Sequence, residues 1–391
     1  MRWLIALCAL ATVAHAQPAP LGGDPLSIGG SSVPPVVSVL TFGEGEPLFE
    51  KWGHAALCFT YPKTPPVCFN WGVTNFNAIS DLVWGFLRGE QVFWLDPEAR
   101  SLMIGFYEAE DRDVWEQRLP LTPDEARSVE QHVLAQLDGP WRYYIYDHFA
   151  DNCTTRIRDL IDDALHGKLH AATGASFPLT YRELGYRGIA EDPLLRGLAD
   201  FVVGRALDVH PTEWQAMFHP DVLRGELYAK LGVAPVLVSR RTGPPFPEQG
   251  PSGRWPMLAI AMVFALPLVV ARWRHRFERA ALAWATAWLG GWGLILWTAI
   301  AVSGIPGIRY NEVALVLVPF DLALPFLGDA RRGRYVRWRI VGLLAVSALC
   351  ALGVLRQPLW IPIISAIVPL YAARSGLRAR REAARSEPAS A

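Results

Sequence analysis

The sequence predicts an exported α+β domain followed by an α-helical membrane domain of about five spans. Three features point there: an N-terminal export signal, a middle region in which strand-like and helix-like periodicities both occur, and long apolar runs confined to the C-terminal part. With 391 residues the chain has room for more than one domain. It reads as a signal peptide over 1–16, an extracytoplasmic domain over 17–239, a Pro/Gly linker over 240–254, transmembrane helices over 255–373 and a cytoplasmic tail over 374–391.

The opening "MRWLIALCALATVAHA" carries Arg2, an apolar core from Trp3 to Val13 and an A-x-A ending at Ala14, His15 and Ala16. These are the parts of a cleavable secretory signal, so the mature chain begins near Gln17. A lipoprotein reading of Cys8 is the weaker one, because bulky Leu7 stands where a small residue is wanted.

Apolar runs near 256–271, 280–302, 310–327, 340–355 and 358–373 give the five spans, several of them short against the roughly 20 residues a helix needs. "RWRHRFER" holds four Arg, "DARRGRYVRWR" five and the tail from Arg374 another five, whereas "SGIPGIR" and "RQP" hold one each. By the positive-inside rule, odd-numbered spans end in the cytoplasm and the region before the first lies outside. The localisation that follows is the bacterial inner membrane, with a periplasmic N-terminal domain. Glu312 and Asp321 are costly at membrane depth and either face a bundle interior or snorkel to the interface.

Residues 17–254 hold 20 Lys plus Arg against 31 Asp plus Glu, an excess of 11 negative charges that argues against nucleic acid as a partner. No HExxH or paired CxxC spacing and no nucleotide-binding glycine loop occurs, so no cofactor or metal is expected. "RRTGPPFPEQGPSGR" has the composition of a linker.

After removal of the signal, Cys58, Cys68 and Cys153 lie in the oxidising compartment, and Cys350 falls in the fourth span. "GHAALCFTYPKTPPVCFNWG" reads as a β-hairpin around "YPKTPP". A turn centred near Lys63 places Cys58 opposite Cys68, a register that suits a cross-strand disulfide. Cys153 is then the odd thiol: exposed for pairing, buried as a small hydrophobe, or reactive. In "DNCTTRIRDLIDDALHG", Ile157, Leu160, Ile161, Ala164 and Leu165 form one helical face, with Asp151 or Asn152 as N-cap and Gly167 as the stop. Cys153 therefore sits in the first turn, where free N–H groups and the helix dipole favour a thiolate.

A cysteine nucleophile needs an imidazole, and the imidazole needs an orienting group. His54 opens the first hairpin strand, and Asn70 is its diagonal neighbour on the partner strand. His148, five residues before Cys153, is the runner-up. His132 belongs to a helix opened by Thr122 and Pro123, as a solvated-face residue. The aromatic segment "WRYYIYD" offers Tyr146 as a groove wall. Arg156 is a candidate for a substrate phosphate, or pairs with a surface carboxylate. The run "LVWGFLRGEQVFWL" lines an acyl groove or is ordinary core.

Taken in order, "KWGHAALCF", "NWG", "FLRGEQVFWL", "LPLTPDEA" and "YYIYDHFADNCTTRIRDLID" resemble the extracytoplasmic domain of the bacterial lipoprotein intramolecular transacylase family (Lnb). The resemblance extends over most of 36–235, and "YNEVALVLVPFDLALPF" is similar to a segment of the family's membrane region. It implies a circularly permuted papain-like (NlpC/P60-type) fold, with the histidine strand before the cysteine helix. It also implies Cys153 as nucleophile and His54 as base. The implied activity moves an acyl chain of a diacylated lipoprotein to its N-terminal cysteine amine through a thioester on Cys153. In that chemistry the Cys153 N–H and a neighbouring donor such as Asn152 hold the oxyanion. The partner is a lipoprotein or lipid in the membrane; the oligomeric state stays open. The competing readings are a cysteine amidase or peptidase acting on peptidoglycan and a non-catalytic binding module.

Overall fold

The computed structural model describes residues 33–46 and 50–386, with side chains to 374. The signal peptide lies outside the described residues. The chain divides into two units, Met1–Gly188 with His210–Glu248 and Ile189–Val209 with Gln249–Ala391. The strands are β1 (Val36–Phe42), β2 (His54–Thr60), β3 (Val67–Val73), β4 (Val92–Ala99), β5 (Val114–Arg118), β6 (Tyr143–Ile145) and β7 (Val236–Ser239). The helices of ten or more residues are α1 (Ile79–Arg88), α2 (Arg100–Ala109), α3 (Pro123–Asp138), α4 (Cys153–Ala164), α5 (Pro193–Val202), α6 (Pro220–Leu231), α7 (Arg254–Arg274), α8 (Glu278–Val302), α9 (Asp329–Ala351) and α10 (Trp360–Ser386).

The first unit is built on one antiparallel sheet in the order β6-β4-β3-β2-β1-β5-β7. Strand alternation sends successive side chains to opposite faces. On β2, Ala55, Leu57 and Phe59 pack with Val129 and Val133 of α3, Ile157 and Ile161 of α4, and Leu223 and Leu227 of α6. Ala56 and Cys58 instead join Leu40, Phe42, Cys68 and the α2 residues Met103, Ile104 and Tyr107. The β2–β3 turn passes through Lys63 at a positive φ of 68°, Cys58 pairs with Cys68, and the two are joined as a disulfide. Helix α3 opens as its sequence suggests: Thr122 Oγ1 accepts the Glu125 N–H, Glu125 returns a bond to the Thr122 N–H, and Pro123 fills the first turn. The Pro/Gly stretch 240–254 is partly anchored: Arg241 N–H donates to Asp113, and Thr242 and Gly243 N–H donate to Asp111.

In the second unit, α7 and α8 are long and apolar enough to cross a membrane, and Trp360–Arg374 is a shorter apolar helix. The expectation of five helical spans is corrected at 310–327. This segment has only two 3-10 stretches, Glu312–Leu315 and Pro319–Phe326. Pro319 and Pro325 lack the N–H that an α-helix would need there. The segment lies along α8, and contact is close enough that a Cβ on Gly293 would stand 2.3 Å from the Val318 carbonyl carbon. Irregular backbone of this kind is tolerated at membrane depth where protein buries it. Asp321, fully buried, holds it by accepting two bonds from Arg339 (both 2.9 Å) and one from the Tyr335 hydroxyl (2.8 Å). Glu312 is also buried and accepts the N–H groups of Arg356 and Gln357. Neither carboxylate snorkels. Residues 189–209 leave the first unit's core: Phe201 of α5 packs with Met257 of α7 and with Trp288 and Trp292 of α8. The tail continues α10 to Ser386.

Candidate functional site

Asn152 begins the site by starting its helix. Its Oδ1 accepts the N–H groups of Thr154 and Thr155 (2.9 Å each), and its own N–H donates to Thr155 Oγ1 (2.8 Å). Its Nδ2 donates to the carbonyls of His148 (2.9 Å) and Phe218 (3.0 Å). Every polar group of the side chain is therefore used. The expectation that Asn152 supplies an oxyanion donor is corrected: it is the N-cap and a clamp on two neighbouring segments. The first-turn N–H of Cys153 has no intrahelical partner and remains as a donor.

Cys153 is buried and is the free cysteine among the described residues of the first unit. Burial pushes its thiol up, but the His54 charge and hydrogen bond, the Thr154 hydroxyl and the Ala55 N–H outweigh this and bring it down to about 7. Thr154 Oγ1 lies 3.6 Å from the sulfur. The thiol belongs to the core layer shared with Ala55, whereas the imidazole stacks with Phe42 (6.0 Å) and Tyr107 (6.2 Å) of the opposite layer. The two meet where β2 begins.

The tautomer of His54 follows from its other neighbour. Asn70 Oδ1 accepts the Gly72 N–H at 2.7 Å, which fixes that atom as the carbonyl oxygen. His54 Nε2 lies 2.7 Å from the same oxygen and must donate to it. Nδ1 is left for the thiol. Burial alone would lower the His54 pKa; the thiolate charge, its hydrogen bond and the Asn70 carbonyl more than reverse that, and the group is raised.

Gly72, not singled out from the sequence, is the floor of this arrangement. A Cβ there would stand 2.5 Å from His54 Cε1 and 3.0 Å from Asn70 Oδ1. A glycine inside a strand pattern is the available signal for such a close approach. Gly72→Ala is expected to push the imidazole off Asn70 and slow alkylation of Cys153 at pH 7 about tenfold, with the melting temperature moving little; iodoacetamide kinetics and a thermal melt on the same sample read both.

The remaining candidates separate. Tyr146 stacks on Phe93 (4.5 Å) and meets Phe86 edge-on (5.6 Å), and burial and the Cys153 charge raise its phenol. Its hydroxyl lies 3.1 Å from His148 Nδ1. His148 is pushed down to about 4 by burial and by neighbouring His219, and is neutral at pH 7. The thiol's imidazole partner is His54 rather than His148. Arg156 makes a bidentate pair with Asp151 (2.6 and 2.8 Å) and lies over the Tyr144 ring at 4.2 Å. This is the surface-carboxylate alternative, not an open phosphate site. His132 Nδ1 lies 2.9 Å from the Ser128 carbonyl on the exposed side of α3. Among the described residues no group of three or more His, Cys, Asp or Glu is gathered for a metal.

Residues 31–187 match the family model of the Lnb N-terminal periplasmic domain. The matched region contains Cys153, His54, Asn70, Gly72 and Tyr146. No curated protein and no solved structure matches the chain. A chain with a periplasmic-type domain and, after it, helices of membrane length is the coarse description these findings support.

Proposed function

We propose that the chain is a membrane-anchored thiol acyltransferase that moves an acyl chain within diacylated lipoproteins to the N-terminal cysteine amine. The observation that carries this reading is the Cys153–His54–Asn70 array at the start of α4. We read its architecture as permuted papain-like, with the base strand preceding the nucleophile helix.

In this mechanism the Cys153 thiolate attacks the ester carbonyl carbon, and the oxyanion is held by the Cys153 N–H at the positive end of α4. The C–O bond breaks, and the leaving alkoxide takes the proton from the His54 imidazolium. The amine of the lipoprotein then attacks the thioester, Nδ1 of His54 removes its proton, and the sulfur leaves as thiolate. Asn70 keeps the Nε2 proton engaged throughout, so that Nδ1 is the nitrogen that cycles.

A lipid substrate, rather than a cell-wall peptide, is supported by apolar side chains exposed on the same unit. Val92 stands directly opposite Ile145 and Trp94 opposite Tyr143 on one face of the β4–β6 pair. Val92, Tyr143 and Ile145 are exposed, as are Trp141 just before them and Val83 and Trp84 of α1. Exposed apolar patches of this kind mark lipid or partner contact. Membranes containing the protein or its Cys153→Ala variant, incubated with a diacylated lipoprotein, provide the test. Mass analysis should find an acyl chain on the N-terminal amine only with the wild type. A lipoprotein unchanged by folded wild type would remove this reading and favour amide cleavage in the cell wall.

A further inference from the structure

The hairpin of α7 and α8 forms an open cavity of about 570 Å³ at the end where "RWRHRFER" joins the two helices. Its walls are apolar, with Val270 of α7, Ala280 and Trp284 of α8, and Phe277 of the connection. Trp284 is a fixed wall, stacked on Phe264 at 4.6 Å with its Nε1 donating to the Val263 carbonyl. Two cations, Arg274 and Arg276, complete the lining.

The arginines of this connection are not equivalent. Arg272 forms an ion pair with Glu278 at 2.5 Å and donates to the Ala373 carbonyl. Arg274 and Arg276 have no carboxylate partner among the described residues; each lies over the ring of its chain neighbour, Trp273 and Phe277, at 5.9 and 5.3 Å. The cavity thus joins an apolar wall of acyl-chain character to two uncompensated positive charges at a helix-hairpin end.

The geometry points to a binding site for one anionic phospholipid, its phosphodiester between Arg274 and Arg276 and an acyl chain along Val270, Ala280 and Trp284. Charge complementarity selects an anionic headgroup over a zwitterionic one, and the apolar wall selects a lipid over a free anion. The site owes nothing to the chemistry of Cys153. Its occupant is a lipid of the leaflet in which this connection lies, held as part of the assembled membrane unit.

The full-length protein in nanodiscs of equal phosphatidylglycerol and phosphatidylcholine, released and weighed by native mass spectrometry, tests this. Retained lipid is expected to be phosphatidylglycerol by on the order of tenfold, from two arginine contacts. Arg274→Gln with Arg276→Gln should bring the ratio to unity, while Arg279→Gln, a charge loss outside the cavity, should leave it. No preference in the wild type would overturn the site, as would an unchanged preference in the double variant. Displacement of the lipid by millimolar inorganic phosphate would overturn it as well, by showing that the arginines hold an ion without the chain.

Discussion

Replacing His54 with alanine is expected to move the midpoint of Cys153 alkylation from about pH 7 to above 8.5 and to slow acyl transfer about 10³-fold. Burial is the largest influence on the thiol and acts upwards; the imidazole supplies the charge and the main hydrogen bond that reverse it. Without the imidazole, only the Thr154 hydroxyl, the Ala55 N–H and the helix dipole oppose burial. The sign is clear in each pH range. Below about 7 both proteins carry a thiol and react slowly; between 7 and the variant's midpoint only the wild type carries a thiolate; above that midpoint the two converge. Because thiol and imidazole titrate as a coupled pair, the measured midpoints belong to the pair. Iodoacetamide rates across pH 5–10 on the full chain give both curves. Coincident midpoints would show that His54 does not act on the thiol and would remove it as the base.

The parts of the site that could be read in the sequence are those set by local periodicity. Cys153 falls in a first turn because the apolar residues from Ile157 to Leu165 fix the helix phase. Asn70 comes within reach of His54 because the turn at Lys63 fixes the hairpin register. What periodicity does not contain is which layer meets which. On β2, His54 shares the face of Ala56 and Cys58, whereas the thiol arrives from the layer of Ala55, so the pair forms only at the open end of the strand. Local sequence gives Asn152 as an N-cap, which it is, but not the loss of its oxyanion role, since one of its acceptors, the Phe218 carbonyl, lies 66 residues away. The segment 310–327 shows a different failure. Its apolar content is that of a span, but hydropathy ignores backbone donors, and its prolines together with Gly290 and Gly293 of α8 settle an irregular path. No local signal placed 189–209 with the second unit; that follows from α5 packing on α7 and α8.

Asn152→Ala is expected to destabilise the exported domain by about 3–5 kcal/mol, which lowers its unfolding midpoint by roughly 10 °C. The cap alone accounts for about 1–2 kcal/mol, and the buried carbonyl of Phe218 and the part-buried carbonyl of His148, left without their donor, for the rest. Thermal unfolding of the full chain, followed by the near-ultraviolet circular dichroism of its aromatic side chains, measures it. A residue that only held an oxyanion would behave in the opposite way: the midpoint would stay and transfer would fall 10²–10³-fold. Asn152→Asp sharpens the distinction. A carboxylate still accepts the N–H groups of Thr154 and Thr155, so the helix start survives, but it sets negative charge against two carbonyl oxygens and next to the thiolate. The expected result is an intermediate loss of stability together with a Cys153 midpoint raised above 7, because a nearby anion disfavours the thiolate. Since the same side chain both starts α4 and ties it to the segments carrying His148 and Phe218, the position of the Cys153 thiol depends on a residue whose polar groups are all engaged in holding the helix.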